Sequence, residues 1–306
     1  MSICVPDGLS DIIRRRQGQA GIKWLNTLPA LTEKLCRQWD LRLDGAPMYG
    51  SSSLIVPVRR GMDDFVLKMA WPHWKSRTEA RALSVWAGVA AVQLVQYEAD
   101  HDALLLERLD ENRSLNDLPS EAAAAVAGTL IRRLATSDPG ALPSVAELSE
   151  RWSVELPAQW YRLGCPGEPR HMREAATAAA ELARSSRRLV VNQDLHYSNV
   201  LAATRAPWLV IDPKALVGDA EFAVCPLLWN RFSDMDDVRG LHRRVSIIID
   251  AGGLDAQLTL AWSRVRAVEY WLWSLERGET VEAERAAELI SWLSSAPLRN
   301  IRRAVM

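Results

Sequence analysis

Strand-like runs crowd into one stretch of this chain, and helical spacing fills nearly all the rest. That distribution limits the folds open to it. Residues 54–58 (LIVPV) and 65–70 (FVLKMA) are short, apolar and partly β-branched, with a polar turn at 60–64 between them. Two such runs around a turn predict a hairpin. Pro57 lacks a backbone N–H, which predicts that the first strand lies at a sheet edge. Helical spacing returns over 75–87, and 92–97 and 103–109 read as two more strands. Residues 41–109 are therefore expected to form a small antiparallel sheet with one inserted helix. Residues 1–40 before it are helical: Ser10 is placed to cap a helix over 11–17. Ile22, Leu25, Leu28, Leu31, Leu35 and Trp39 then share one face.

A polar connector over 110–116 follows, and the period changes. Helices are predicted over 120–135, 145–163 and 170–184, then three short strands at 189–191, 200–202 and 208–211. From residue 220 onward the spacing is helical again, near 220–230, 236–250, 255–277 and 280–295. Strands first and helices after, without βαβα alternation, define an α+β chain rather than a parallel sheet. The divisions are a helical segment at 1–40, a sheet domain at 41–109 and a mainly helical domain at 110–306.

Net charge is −1, so no overall field draws the chain to nucleic acid or an anionic membrane. No uncharged apolar run approaches the 18 residues of a membrane span. The first residues carry no basic segment followed by an apolar one, so no secretory signal is expected. Four scattered cysteines without a CxxC pair fit a reducing cytoplasm. Arginine outnumbers lysine 32 to 5, which makes each lysine conspicuous.

The chemistry concentrates in VVNQDLHYSNVL at 190–201 and WLVID at 208–212. Asp194 precedes Asn199 by five positions, and Asp212 follows thirteen later. The twelve residues between Asn199 and Asp212 divide into a strand, a turn at 204–207 and a returning strand, so a hairpin brings Asp212 back beside Asn199. With 19 Asp and 7 Asn in the chain, this D-x4-N-x12-D spacing arises by chance roughly 0.03 times, well below one. An amide oxygen and a carboxylate at one hairpin end suit Mg²⁺, which takes its other ligands from water and phosphate. A second carboxylate in the preceding loop is placed to orient a hydroxyl. These are the parts of kinase-type phosphoryl transfer.

Two further features fit. Lys68 interrupts an apolar strand and needs a partner there, and Glu79 on the next helix is the first acid after it. Gly50, Ser51 and Ser52 precede the first hairpin strand, where small residues let backbone N–H groups approach phosphate. No GxGxxG and no GxxxxGK[ST] occurs, which excludes the Rossmann and P-loop readings. The strand at 104–110 (LLLERLD) runs out into the connector and offers backbone groups to a flat base.

Taken in order, YGSSS, Lys68, LLERL, DLHYSNV and PWLVIDPKALVGD at 207–219 resemble the aminoglycoside and hydroxyurea antibiotic resistance kinases, from about residue 5 to about 230. The resemblance implies a protein-kinase-like bilobal fold, ATP and Mg²⁺ as cofactors, and transfer to a hydroxyl of a small antibiotic, streptomycin above all. It implies Asp194 as catalytic base, Asn199 and Asp212 as metal ligands, Lys68 as phosphate contact, and Glu107, Arg108 and Leu109 as the adenine hinge. The chain departs from the family at Asn192-Gln193, where His-Gly usually precedes the aspartate. The first of those positions normally helps to hold the loop.

Residues 212–237 hold six acids and two bases. An acidic rim of Asp219, Glu221 and Asp234 is expected to receive a cationic acceptor. The expected partner is thus a small-molecule antibiotic, with no nucleic acid or membrane, handled by a cytoplasmic monomer, a dimer being the alternative. Hydroxyurea as acceptor, and a nucleotide-holding protein with little turnover, are the competing readings.

Overall fold

The computed structural model describes residues 3–137, 140 and 142–295. The chain divides into two compact units, residues 1–110 and 111–306.

The first unit opens with α1 (Asp7–Gln38). It begins directly after Pro6, four residues earlier than a Ser10 cap would place it, and the Ser10 N–H donates to the Pro6 carbonyl at 3.1 Å. Gly18, at φ 55° and ψ −135°, bends the helix, a left-handed conformation that glycine adopts at little cost. Leu25, Leu28, Leu31 and Leu35 are buried together with Leu54, Val56, Leu67 and Met69 of the sheet. Helical spacing thus sets which face of α1 the sheet covers.

The sheet contains β1 (Arg42–Leu43), β2 (Met48–Tyr49), β3 (Ser53–Arg60), β4 (Asp63–Ala70), β5 (Leu94–Glu98) and β6 (Ala103–Glu107), in the order β1-β3-β4-β6-β5 with β2 also on β3. Helix α2 (Trp74–Trp86) is inserted between β4 and β5. Pro57 does not lie on an edge strand, because β3 is paired on both sides. The Pro57 carbonyl accepts from Asp44 N at 2.9 Å. In an antiparallel strand the N–H and C=O of one residue point the same way. The missing donor therefore faces the gap between the two-residue strands β1 and β2 and costs no bond to β4.

The second unit is mainly helical. The residues expected as a polar connector form β7 (Asp110–Ser114), which pairs with the β10–β11 hairpin. Helix α3 (Ser120–Leu134) follows, then β8 (Thr136–Ser137), α4 (Val145–Arg162) and α5 (Pro169–Ser185). Next come β9 (Leu189–Asn192), β10 (Val200–Ala202), β11 (Trp208–Val210) and β12 (Ala215–Gly218). The last described elements are α6 (Pro226–Trp229), α7 (Val238–Gly252), α8 (Ala256–Arg277) and α9 (Thr280–Ser295). Two three-stranded sheets, β11-β10-β7 and β12-β9-β8, replace the single hairpin that the sequence predicts. Strand β12 is fully buried, and a Cβ on Gly218 would stand 2.5 Å from Val145 Cβ. Only glycine lets α4 approach the strand that closely. Among the described residues, no helix is long and apolar enough to cross a membrane.

Candidate active site

In the first unit, Lys68 lies on β4 opposite Ile55 and Leu104, with flanking ladders on both sides. Its Nζ is 2.7 Å from both Glu79 carboxylate oxygens, and the side chains are only 6% and 3% exposed. The strand fixes one charge and α2 the other, and burial makes each depend on the other. Gly50, Ser51 and Ser52 form the turn of the β2–β3 hairpin: Gly50 N donates to Ser53 O at 2.9 Å, and Ser52 O accepts from Trp71 N at 2.8 Å. Ser51 and Ser52 are exposed. The N–H groups of Glu107 and Arg108 are used within the unit, by Gln93 O at 3.0 Å and Asp64 O at 3.4 Å. The Arg108 guanidinium lies 3.0 Å from Asp44 Oδ2, so that side chain braces the sheet.

In the second unit, β9 ends at Asn192 and the chain turns through Asp194 into a short 3₁₀ turn, Tyr197–Asn199, before β10. The hairpin has the register the spacing predicts: Val200 faces Val210, and Ile211 N donates to Asn199 O at 2.9 Å. Asp212 is therefore next to the residue paired with Asn199. Its φ of 48° is left-handed, a conformation that Asp tolerates better than most residues.

The segments 192–194 and 212–214 are laced together. Asn192 is buried, and its Oδ1 accepts from Asp194 N at 3.1 Å and from Lys214 N at 3.0 Å. Gln193 N donates to Lys214 O at 3.0 Å. Lys214 Nζ in turn reaches Asp212 Oδ2 at 2.6 Å and Asp212 O at 3.2 Å. From α8, the buried Arg266 donates through Nη1 to Gln193 O at 2.8 Å and to Phe222 O at 3.1 Å. Asp194, Asn199 and Asp212 thus stand on neighbouring turns of one bonded array. His196, in the same loop, bonds Ser198 through Nδ1 at 2.8 Å. Burial pushes its pKa below the ordinary histidine value, against the opposing pull of Asp194 and Asp212.

The acidic rim is a different matter. Asp219 and Glu221 are 1% and 2% exposed. Asp219 accepts from Arg187 N and Nε at 2.9 and 3.1 Å and from Trp262 Nε1 at 3.0 Å. Glu221 accepts from Arg187 Nη2 and from Asp255 N. Both carboxylates face inward and tie β9, β12 and α8 together, so neither offers an acceptor-facing charge. Asp234 is exposed, but its Oδ2 takes Arg231 Nε and Nη2 at 2.7 and 2.6 Å. Asp237 caps α7 through Arg239 N and Gly240 N.

The segment between Glu221 and Asp237 is held by arginines that bond carbonyls. Arg231 donates to Leu115 O and Leu118 O at 3.3 and 3.0 Å. Arg244 donates to Asn230 O and Arg231 O, each at 3.1 Å, and Arg266 holds Phe222 O. The sequence reading assigned nothing to Asn192 beyond its departure from the family, and nothing to Lys214 or Arg266. Lys214 carried a usable signal, as one of five lysines placed two residues after Asp212. Arg266 carried none, since it reaches the loop across 73 residues.

The fold is shared with solved structures. A crystal structure of a thermostable mutant of aminoglycoside phosphotransferase APH(4)-Ia, in ternary complex with AMP-PNP and hygromycin B, matches with a TM-score of 0.58 at 16% identity, covering 88% of this chain and 98% of that one. The fold is therefore the protein-kinase-like fold of the aminoglycoside phosphotransferases. A family model described as aminoglycoside/hydroxyurea antibiotic resistance kinase matches residues 38–278. Streptomycin 6-kinase of Streptomyces griseus is 35% identical over 92% of this chain and 94% of its own. Hydroxyurea phosphotransferase of Kitasatospora aureofaciens is 35% identical over 92% and 83%. The chain belongs to the aminoglycoside/hydroxyurea antibiotic resistance kinase family and is a phosphotransferase that uses a hydroxyl acceptor.

Proposed function

We propose that this phosphotransferase uses ATP and Mg²⁺ to phosphorylate a hydroxyl of a small antibiotic, with the 6-hydroxyl of streptomycin as acceptor. The observation that carries the reading is the lacing of 192–194 to 212–214, found in a chain 34–35% identical to two streptomycin 6-kinases. In this reading the Asp194 carboxylate orients the acceptor hydroxyl. The hydroxyl oxygen bonds to the γ-phosphorus, its proton goes to Asp194, and the bond to the β,γ-bridging oxygen breaks to release ADP. Lys68, held by Glu79, contacts the α- and β-phosphates, the turn that Gly50 N closes onto Ser53 O presents the backbone of Ser51 and Ser52 to them, and the chain at 107–109 meets the adenine beyond the N–H groups that Glu107 and Arg108 spend within the sheet.

Asn199 and Asp212 would hold the metal. The fit is supported by the donor set, an amide and a carboxylate at one hairpin end, and by the Asp212 carboxylate already holding a cation, the Lys214 ammonium. Among the described residues no cluster of three His, Cys, Asp or Glu side chains could hold an ion alone, so phosphate and water would complete the shell, as Mg²⁺ prefers. When bound there, Mg²⁺ offsets charge on the phosphate oxygens. A cytoplasmic reaction, where ATP is supplied, fits this reading.

Hydroxyurea is the second reading. It is favoured by the equal identity to hydroxyurea phosphotransferase and by the inward-facing Asp219 and Glu221, which are unavailable to a cationic acceptor. The test is purified protein with Mg·ATP and either compound, followed by ADP release and by the mass and NMR position of the added phosphate. Phosphate on the streptomycin 6-hydroxyl supports the first reading. Transfer to hydroxyurea alone selects the second, and transfer to neither sinks both.

A further inference from the structure

Lys214 makes a bond to which the phosphoryl-transfer reading gives no role in the reaction. Its Nζ sits 2.6 Å from Asp212 Oδ2 and 3.2 Å from the carbonyl oxygen of the same residue. The placement is built rather than casual. The Lys214 backbone is anchored on both sides, N to Asn192 Oδ1 at 3.0 Å and O to Gln193 N at 3.0 Å. Only Pro213 separates it from Asp212, whose left-handed φ of 48° fixes the turn between them. The two side chains are 20% and 34% exposed, so the pair is not sealed from solvent and can exchange partners. The residue type is also selective. In a chain with 32 arginines and 5 lysines, this position carries the flexible single-point cation rather than the planar fork that would grip a carboxylate in two places.

We propose that Lys214 is a resident counter-cation that competes with divalent metal for the Asp212 carboxylate and so makes metal binding depend on nucleotide. This rests on the reading of Asp212 as a metal ligand. A carboxylate oxygen that holds an ammonium at 2.6 Å cannot serve a small octahedral ion at ligand distance until the ammonium moves. Among the described residues the ammonium bonds Asp212 alone, so without nucleotide the metal must displace it against like-charge repulsion. Phosphate oxygens supply an alternative anionic partner for Nζ, so nucleotide frees the carboxylate and metal and nucleotide bind with positive coupling. The protein thereby avoids holding a bare metal ion in an open site.

The test is titration of Mn²⁺ alone into nucleotide-free protein, read by calorimetry or water-proton relaxation, and then again with AMP-PNP bound. Lys214→Met and Lys214→Gln are expected to bind Mn²⁺ about tenfold more tightly than wild type without nucleotide, and within about threefold of it once nucleotide is present. Lys214→Arg, which keeps the charge, should bind no more tightly than wild type. Equal Mn²⁺ affinity in wild type and both neutral variants overturns the proposal, as does tightening in the arginine variant. Asp212→Asn separates the two levels of argument. If it weakens Mn²⁺ binding while Lys214→Met changes nothing, only the role of Lys214 fails. If it leaves Mn²⁺ binding unchanged even in the Lys214→Met background, the metal assignment itself fails and the counter-cation falls with it.

Discussion

Lys68 Nζ is equidistant, at 2.7 Å, from the two carboxylate oxygens of Glu79, and both residues are buried. Each charge depends on the other. Glu79→Ala should therefore destabilise the protein by about 3–5 kcal/mol, because it takes a bidentate carboxylate away from a buried ammonium. The double change Lys68→Met with Glu79→Leu should recover most of that stability and none of the activity. Urea unfolding beside a transfer assay checks this. Activity in the double variant would show that Lys68 touches no phosphate.

Asp194→Asn keeps the volume of the side chain and removes its charge. Turnover should fall by about two to four orders of magnitude while nucleotide binding stays within twofold, since the carboxylate acts on the acceptor's proton. Single-turnover kinetics and AMP-PNP titration measure the two separately. A variant keeping a tenth of wild-type turnover would remove Asp194 from the chemistry.

Asn192 accepts from two backbone N–H groups with a single oxygen. Asn192→Leu should leave both unsatisfied, at about 1–3 kcal/mol each, and should lower kcat more than it raises the KM for ATP. Asn192→Asp, which keeps the acceptor, should retain the loop. Equal kcat in wild type and the leucine variant would show that the loop holds without this residue.

Substitution of Asp219 and Glu221 by their amides should lower stability rather than acceptor affinity. Both carboxylates are consumed by Arg187, Trp262 and the Asp255 backbone. The cost should be about 2–3 kcal/mol, below the full value for a buried pair because the Arg187 side chain is 49% exposed. Denaturation midpoints and acceptor KM are the two readouts. A selective rise in KM with unchanged stability would return these acids to the substrate side.

His196 supplies part of the pH dependence, and His242, lowered by burial in the same direction, adds to it. Burial holds the His196 pKa below the ordinary 6.5, so below about pH 6.5 the unfolded chain takes up a proton that the folded chain resists. Stability is then present above the unfolded pKa and is lost as pH falls through 6.5 toward the lowered folded value. His196→Gln should flatten this acid limb. Urea midpoints at pH 7 and pH 5 give the comparison, and an equal loss in both proteins would assign the limb to other groups.

The sequence revealed those parts of the fold whose causes are local. The Asn199–Asp212 hairpin follows from a count of residues between two chemically distinct positions, and its register agrees. Lys68 was visible because a charge inside an apolar strand requires an explanation. The strand Asp110–Ser114 was not visible, because its residues DENRS are all polar, without apolar alternation, and the hairpin they pair with lies about 90 residues later. The inward turn of Asp219 and Glu221 was hidden for a related reason. Their partners Arg187, Asp255 and Trp262 lie 32 to 43 residues away, and a local excess of acids looks the same whether it faces water or the protein interior.

The arginine–carbonyl bonds around residues 222–231 have a consequence for how this protein can change over generations. Arg244 and Arg266 reach in from distant helices to main-chain oxygens of Asn230, Arg231 and Phe222, and Arg231 reaches out of the segment to Leu115 and Leu118. A main-chain oxygen is present whatever residue carries it, so these bonds ask nothing of the side chain at Asn230, whereas the buried Val224, Cys225, Leu227 and Leu228 are held to their identities by packing. Lineages can therefore rewrite Asn230 and the exposed Ser233 without first finding a compensating fold. A library randomised at those two positions on a background that keeps the three arginines should yield many soluble members, and one that randomises the arginines should yield few.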